Sequence, residues 1–305
     1  MLGFSLVVLA SFMWAIDTLI RYPLLGSGVT PDQLVFGEHL FLVIFFLPLF
    51  LKRKETFLEF KISHFFGFLV IGVFGSAIAT LAFTEAFRLI NPSLVIIMQK
   101  LQPFVAVFFA RILLGEKPKK EFWPLMILTI IGVFLVSAPE LWSGLKALNW
   151  DIDLIRQSFK KESALGLLLT MIAVVSWGAS TVFGKKLSQS SYSPNAIMAG
   201  RFFFGFVFLS FYLWANQSYQ HFTYNPLVWS KILGMVTISG LLGMYLYYRG
   251  LKLISARAAA IAELFFPLAS VCINWVLLNK PLEPIQILGA ILMLGSATFV
   301  QWKNY

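Results

Sequence analysis

INPSLVIIMQKLQPFVAVFFARILLGEKP, residues 90–118, reads as a membrane-spanning helix with two glutamines and a lysine, Gln99, Lys100 and Gln102, in its middle. From Pro92 to Leu114 it is long enough to cross a hydrocarbon core of about 30 Å. An ionisable group near the centre of such a helix costs about 2.5–3.5 kcal/mol on insertion scales, so it implies a cavity, a partner or an ion path. Lys100 lies eight residues beyond Pro92. At about 1.5 Å per residue that is roughly 12 Å deep, where an ammonium does not reach the surface comfortably. Gln99, Lys100 and Pro103 are close neighbours on the helix, and Pro103 frees a backbone carbonyl beside them. Either this polar strip faces a cavity and meets substrate, or Lys100 neutralises a buried carboxylate.

The rest of the chain has the same character. Of its 305 residues 59% are hydrophobic and only 12% charged, about half the charge of a soluble domain. Apolar blocks near 3–21, 32–51, 64–87, 92–114, 121–138, 164–187, 194–216, 230–251, 256–279 and 284–302 predict ten transmembrane helices and an all-α membrane protein. The first block lacks a basic start and a cleavage site, and so reads as a retained helix. The net charge of +10 lies mostly between the blocks, so no nucleic-acid partner is expected. Lysines cluster in alternate loops, at Lys52, Lys54 and Lys61, at Lys117, Lys119 and Lys120, at Lys185 and Lys186, and at Lys252 and Lys303. The positive-inside rule then puts both termini in the cytoplasm, with Arg21, Arg88 and Lys280 at the opposite face. Arg249 and Arg257 flank a cytoplasmic turn, where they would anchor to membrane lipids. The 139–163 connection lies outside the cytoplasm, either as an amphipathic interfacial helix or as a solvated linker.

Cys272 is the sole cysteine, and His39, His64 and His221 are scattered. No disulfide within the chain, metal site or cofactor is therefore expected. Phosphate-binding and hydrolase motifs are absent, so the chain does not read as an enzyme.

The second half repeats the first at an offset of 163–164 residues. Trp14 maps to Trp177, Thr18 to Thr181, Pro31 to Pro194, Gly37 to Gly200, Pro103 to Pro267 and Gly132 to Gly295. A unit of five helices is odd, so its copy must enter the membrane from the other side. The expected architecture is two inverted five-helix repeats, residues 1–138 and 164–305, joined by 139–163, the arrangement that lets a central site open to either face.

The ASFMWAIDTLIRYPL opening, the 90–118 stretch ending in Gly115-Glu116, and Gly132 beyond it resemble the EamA family of the drug/metabolite transporter superfamily. The resemblance covers nearly the whole chain. It implies ten helices, with 1–4 and 6–9 around a cavity and 5 and 10 outside. It also implies a substrate among amino acids, nucleosides, vitamins, quaternary amines and drugs. Two departures stand out: Asn279-Lys280 in place of Gly-Glu, and Glu38-His39 where an Arg and an aromatic are usual, a form the second unit keeps as Arg201-Phe202.

The repeat also pairs Gln99 with Glu263 and Glu38 with Arg201. These residues and Lys100 are the expected binding site, with Trp14, Trp177, Tyr245 and Tyr248 as aromatic walls. For the two tryptophans the alternative is inherited helix packing. Glu38 either binds a cationic group or carries a coupling proton. His39 shares that task or bonds a neighbouring helix, and Asp17 reaches the cavity or caps a helix contact. Glu85 and Arg88, at i and i+3, read as a structural ion pair. The function expected is secondary transport of a small polar metabolite across a bacterial inner membrane by alternating access. An amino acid or related compound, exported, is the first expectation, choline-like or drug-like cations the second, and a non-transport scaffold the third. Substrate identity, coupling ion and oligomeric state are not legible.

Overall fold

Four helices start at a proline that follows a capping residue: Thr30-Pro31, Asn91-Pro92, Ser193-Pro194 and Asn225-Pro226. Proline has the helical φ built in and no N–H to leave unpaired, and the preceding side chain accepts from an N–H one turn on. In the computed structural model of the protein, Asn91 accepts from the Ser93 N–H at 2.9 Å, Ser193 from Ala196 at 3.3 Å and Asn225 from Leu227 at 2.9 Å. The structure describes residues 1–51, 62–115, 117–142, 161–190, 192–251, 253–254 and 256–304, and no strand occurs among them.

The helices are α1 (Leu2–Gly26), α2 (Pro31–Leu51), α3 (62–89), α4 (92–114), α5 (Phe122–Trp142), α6 (Lys161–Ser188), α7 (Pro194–Asn216), α8 (226–251), α9 (256–276) and α10 (Pro284–Asn304). Among the described residues nine are long and apolar enough to cross a membrane. The exception is α9, expected as one span over 256–279, which breaks at Glu263 and Leu264 into Ala256–Ala262 and Phe265–Val276. Within 139–163, residues 139–142 extend α5 and 161–163 begin α6, while 143–160 lie outside the described residues. The side chain of Arg257 is also outside them.

Two local irregularities recur in both halves. In α3 and α8 the backbone widens to π geometry, over Val70–Ile78 and Val236–Gly243. In α4 and α9 a proline one turn ahead withdraws the N–H that would have bonded Gln99 or Glu263. The Gln99 carbonyl accepts instead from Gln102, and that of Glu263 from Phe266 at 3.3 Å. The Asn279 departure has a backbone reason: Gly115 (φ +69°) and Asn279 (φ +53°) hold the same left-handed position after their helices, and asparagine tolerates it better than other side chains.

Packing pairs α1 with α8 and α9, α6 with α3 and α4, α2 with α7, and α5 with α10. The main apolar core lies at one end of the bundle, where Leu24 and Leu25 of α1, Leu34 of α2, Phe83 to Ile90 of α3, Leu94 to Met98 of α4 and Ile232 and Met235 of α8 meet. At the other end a smaller cluster gathers Phe68, Ile71, Leu187, Tyr192 and Ala196.

The α5–α10 contact depends on two glycines. A Cβ on Gly132 would stand 2.8 Å from the Gly289 carbonyl oxygen, and one on Gly289 2.6 Å from that of Gly132. Gly295, the repeat partner of Gly132, has nothing within 4 Å of such a Cβ. Small residues let backbones meet where lipid offers no hydrophobic drive for helix association. Gly132→Leu or Gly289→Leu is therefore expected to lower stability by about 1–3 kcal/mol, read as a lower unfolding midpoint in detergent. Gly295→Ala should stay within about 0.5 kcal/mol.

Candidate functional site: a central polar cavity

Side chains from both halves converge on connected cavities of about 300, 550 and 750 Å³, all three lined in part by Trp14 and Gln99. The sizes suit a small-molecule site. The innermost, of about 300 Å³, reaches Asp17, Arg21, Glu38, His39, Trp177 and Arg201. The cavity of about 550 Å³ is bordered by Lys100, Gln102, Lys117, Lys119, Lys185 and Glu263, at the end opposite the main core. The third, of about 750 Å³, passes Ser180, Tyr192, Arg201 and Tyr248.

Arg21, expected at a membrane face, is buried at 4% exposure. The i, i+4 spacing on α1 brings its Nε to 2.6 Å from an Asp17 oxygen, while one terminal nitrogen donates to Glu38 at 2.6 Å and the other to Glu38 at 3.1 Å and Thr84 at 2.8 Å. Asp17 also accepts from the Ser239 hydroxyl at 3.2 Å. Glu38 thus faces Arg21 on a neighbouring helix, and the expected opposition to Arg201 gives way to this three-residue cluster. A guanidinium fork hydrogen-bonds two carboxylates at once.

His39 bonds the Val35 carbonyl through Nδ1 and the Ser76 hydroxyl of α3 through Nε2, both at 2.9 Å. The carbonyl only accepts, so the proton is assigned to Nδ1, and in the neutral ring Nε2 accepts from Ser76. His39 thus links α2 to α3 and also lines the inner cavity. The Glu85–Arg88 pair is present as read.

The widened segments supply carbonyls to the cavity. Trp14 donates its indole N–H to Ser239 in α8 at 3.1 Å, and Arg201 donates to Gly75 in α3, the repeat counterpart of Ser239, at 2.6 Å. The Nε of Arg201 is buried without a partner. Neither Arg201 nor Lys100 has an ion pair among the described residues. Lys100 and Glu263 border the same cavity, with no contact of ion-pair length between them among the described residues. Glu263 accepts from the Tyr247 hydroxyl at 2.6 Å, and the Tyr247 ring lies 5.1 Å from that of Trp14. Trp177 packs edge-on against Phe83 at 5.2 Å while lining the cavity, so packing and cavity roles coincide there.

Tyr245 needs correction: it is 58% exposed, accepts from Arg249 at 3.1 Å, and borders none of the three cavities. Of its neighbours, Tyr248 lines the cavity of about 750 Å³ and Tyr247 supports Glu263 from behind, because helical rotation of about 100° per residue sends successive side chains in different directions. Arg21 was legible as an i+4 partner of Asp17, and Tyr247 had no signal of its own. Arg21→Met strands two carboxylates in a buried site and is expected to cost about 3–5 kcal/mol in unfolding experiments. Adding Glu38→Gln to it should recover part of that loss, since the two residues share one network.

Comparison with known proteins agrees with this architecture. The EamA-like transporter family matches residues 1–138 and 164–302. "Riboflavin transporter ImpX" of Fusobacterium nucleatum is 30% identical over 309 residues, covering 99% of this chain and 98% of that protein. "Uncharacterized transporter YetK" of Bacillus subtilis is 26% identical over 200 residues, 65% of this chain and 56% of that protein. A solved crystal structure with 16% identity shares the fold at a TM-score of 0.56, covering 97% of this chain and 94% of its own. With a family match over most of its length and nine apolar membrane-length helices, the chain is a multi-pass membrane protein that belongs to the EamA-like transporter family, a transporter and not an enzyme.

Proposed function

We propose that the protein is a secondary carrier that moves a small, polar, aromatic metabolite of the flavin type by alternating access of two inverted five-helix units. The observation that carries this reading is the cavity between the halves, lined by the indoles of Trp14 and Trp177 and by Gln99, Lys100, Gln102 and Arg201, with no ion pair to Lys100 or Arg201 among the described residues. A flavin has a flat ring system that indoles can stack against, imide carbonyls that accept from such donors, and a polyhydroxyl tail. The similarity to a protein named as a riboflavin transporter runs across 99% of the chain and points the same way. An aliphatic amino acid would leave the indole walls uncovered. For a choline-like cation the acids are wrongly committed, because Asp17 and Glu38 hold Arg21 and Glu263 holds Tyr247.

Inverted repeats are supported by the pairings of α1 with α8 and α9 and of α6 with α3 and α4, which interchange when the halves are exchanged. Leu24, Leu34 and Ile232 of the main core have Leu187, Ile197 and Phe68 of the small cluster as repeat counterparts. One end is sealed by an extensive core and the equivalent end is not, as alternating access requires of any single state. With the lysine-rich end in the cytoplasm of a bacterial inner membrane, this state faces inward. Asp17 and Glu38 around a single guanidinium carry one carboxylate in excess, a place for one coupling proton.

Titrating the detergent-purified protein into riboflavin should quench flavin fluorescence, and leucine or choline in excess should not reverse it. Trp177→Ala should weaken binding about 5- to 150-fold, the range for about 1–3 kcal/mol of ring stacking. In proteoliposomes an imposed pH gradient should drive riboflavin flux, and Glu38→Gln should uncouple it. Displacement by choline or leucine, or no quenching at all, would overturn the flavin reading.

A further inference from the structure

The irregular turns of the two cavity helices carry opposite charges. Lys100 lies in the tightened turn of α4, Gln99–Leu101, and Glu263 lies where α9 parts between Ala262 and Phe265. The second segment of α9, Phe265–Val276, packs against Pro92–Met98 of α4, and the charges of Lys100 and Glu263 interact across the gap between them. Both residues border the cavity of about 550 Å³, together with Trp14 and Gln99. Each has hydrogen-bonding capacity left over. One Glu263 oxygen accepts from Tyr247 at 2.6 Å, and the other has no partner among the described residues. The Lys100 ammonium, with three N–H donors, has none among them either. The unpaired side-chain atoms that are fully buried are Arg201 Nε and Asn274 Oδ1, so the ammonium and the second carboxylate oxygen both open on the cavity they line.

An acceptor and a donor held apart in one cavity fit a ligand that carries an N–H and a C=O side by side. We propose that Glu263 and Lys100 together read the imide edge of the flavin ring, Glu263 accepting from the N3–H and Lys100 donating to a carbonyl next to it. The inference rests on the flavin reading above and adds which edge of the ring is recognised and which residues make the site selective. Trp14 gives the ring a face to lie against in the same cavity, and Gln99 offers an amide to the second carbonyl. Hydrogen bonds to ionised groups are stronger than neutral ones. A site built for an N–H also rejects an analogue without it, because its own acceptor is then left unpaired. Tyr247 acts as a positioning residue, holding the carboxylate by one oxygen and leaving the other for the ligand. The ammonium of Lys100 nearby disfavours an organic cation at the same carboxylate.

The test compares riboflavin with 3-methylriboflavin, whose N3 carries a methyl group in place of the proton. Flavin fluorescence quenching is measured on the full-length protein in wild type, Glu263→Gln and Lys100→Met. The readout is the ratio of the two dissociation constants within each protein, which a general loss of fold does not move. Wild type should bind the methylated flavin about tenfold more weakly or worse, the loss of one hydrogen bond to a charged group. Glu263→Gln keeps the shape of the acid without its charge, so the ratio should fall by about threefold or more. Lys100→Met should weaken both flavins alike and leave the ratio in place. Equal affinities in wild type, or a Lys100→Met protein that binds both flavins as wild type does, would overturn the proposal. So would a ratio unchanged in Glu263→Gln, because the cavity would then be rejecting the bulk of the methyl group and not missing a proton. If neither flavin binds, the flavin reading falls, and thermal unfolding with uridine and 3-methyluridine, which carry the same edge with and without its N–H, tests the imide site alone. Stabilisation by uridine only would keep it, and stabilisation by neither or by both alike would end it.

Discussion

The guanidinium of Arg21 shows the constraint that shapes the interior: a polar group buried within a membrane span is costly unless it finds partners within the protein or lines a cavity. Bonds to Asp17, Glu38 and Thr84 tie α1, α2 and α3 together at the inner end of the cavity. Removing Arg21 leaves Asp17 and Glu38 without their cation in a low dielectric, where an uncompensated charge is costly. The cluster also accounts for the apparent charge reversal at Glu38, whose partner is an arginine one helix away and not the repeat-related Arg201.

Backbone groups obey the same constraint. The prolines at 103 and 267 and the widened segments of α3 and α8 release carbonyls within the membrane, and these irregularities lie where the chain lines the cavity. The carbonyls of Gly75 and Ser239 are taken by Arg201 and Trp14, so the places where regular helix fails are also where side chains are positioned. Gly75 also lets α3 pack closely on α6, since a Cβ there would lie 2.1 Å from the Ser180 hydroxyl oxygen. Irregular backbone, close packing and site geometry are thus one feature seen at three scales.

The two halves are alike in sequence but not in state. Trp14 bonds a widened-helix carbonyl in one half, and in the other the equivalent carbonyl is taken by Arg201. The α4 irregularity remains a tightened helical turn, whereas α9 parts into two helices. Under the alternating access proposed above, halves that differ in this way would leave one end sealed and the other open.

Much of the fold was legible in the residues. Apolar blocks of membrane length, the repeat offset and the midplane charge at Lys100 come from composition and spacing, because the thickness of a bilayer and the cost of burying a charge act on any chain. Local chemistry explains the helix starts at Asn91-Pro92 and Ser193-Pro194 equally well. Partner choice was not legible. Repeat symmetry paired Glu38 with Arg201, but the fold gave Glu38 to Arg21. Tyr245 and Tyr248 were the tyrosines expected at the cavity, and it is Tyr247, between them in the same helix, that reaches Glu263. Sequence by itself determined which groups had to be buried and at what depth, since hydrophobicity and length are properties of a single helix. Only the tertiary structure decided which of them meet, because contact depends on the rotation and crossing of helices far apart in the chain.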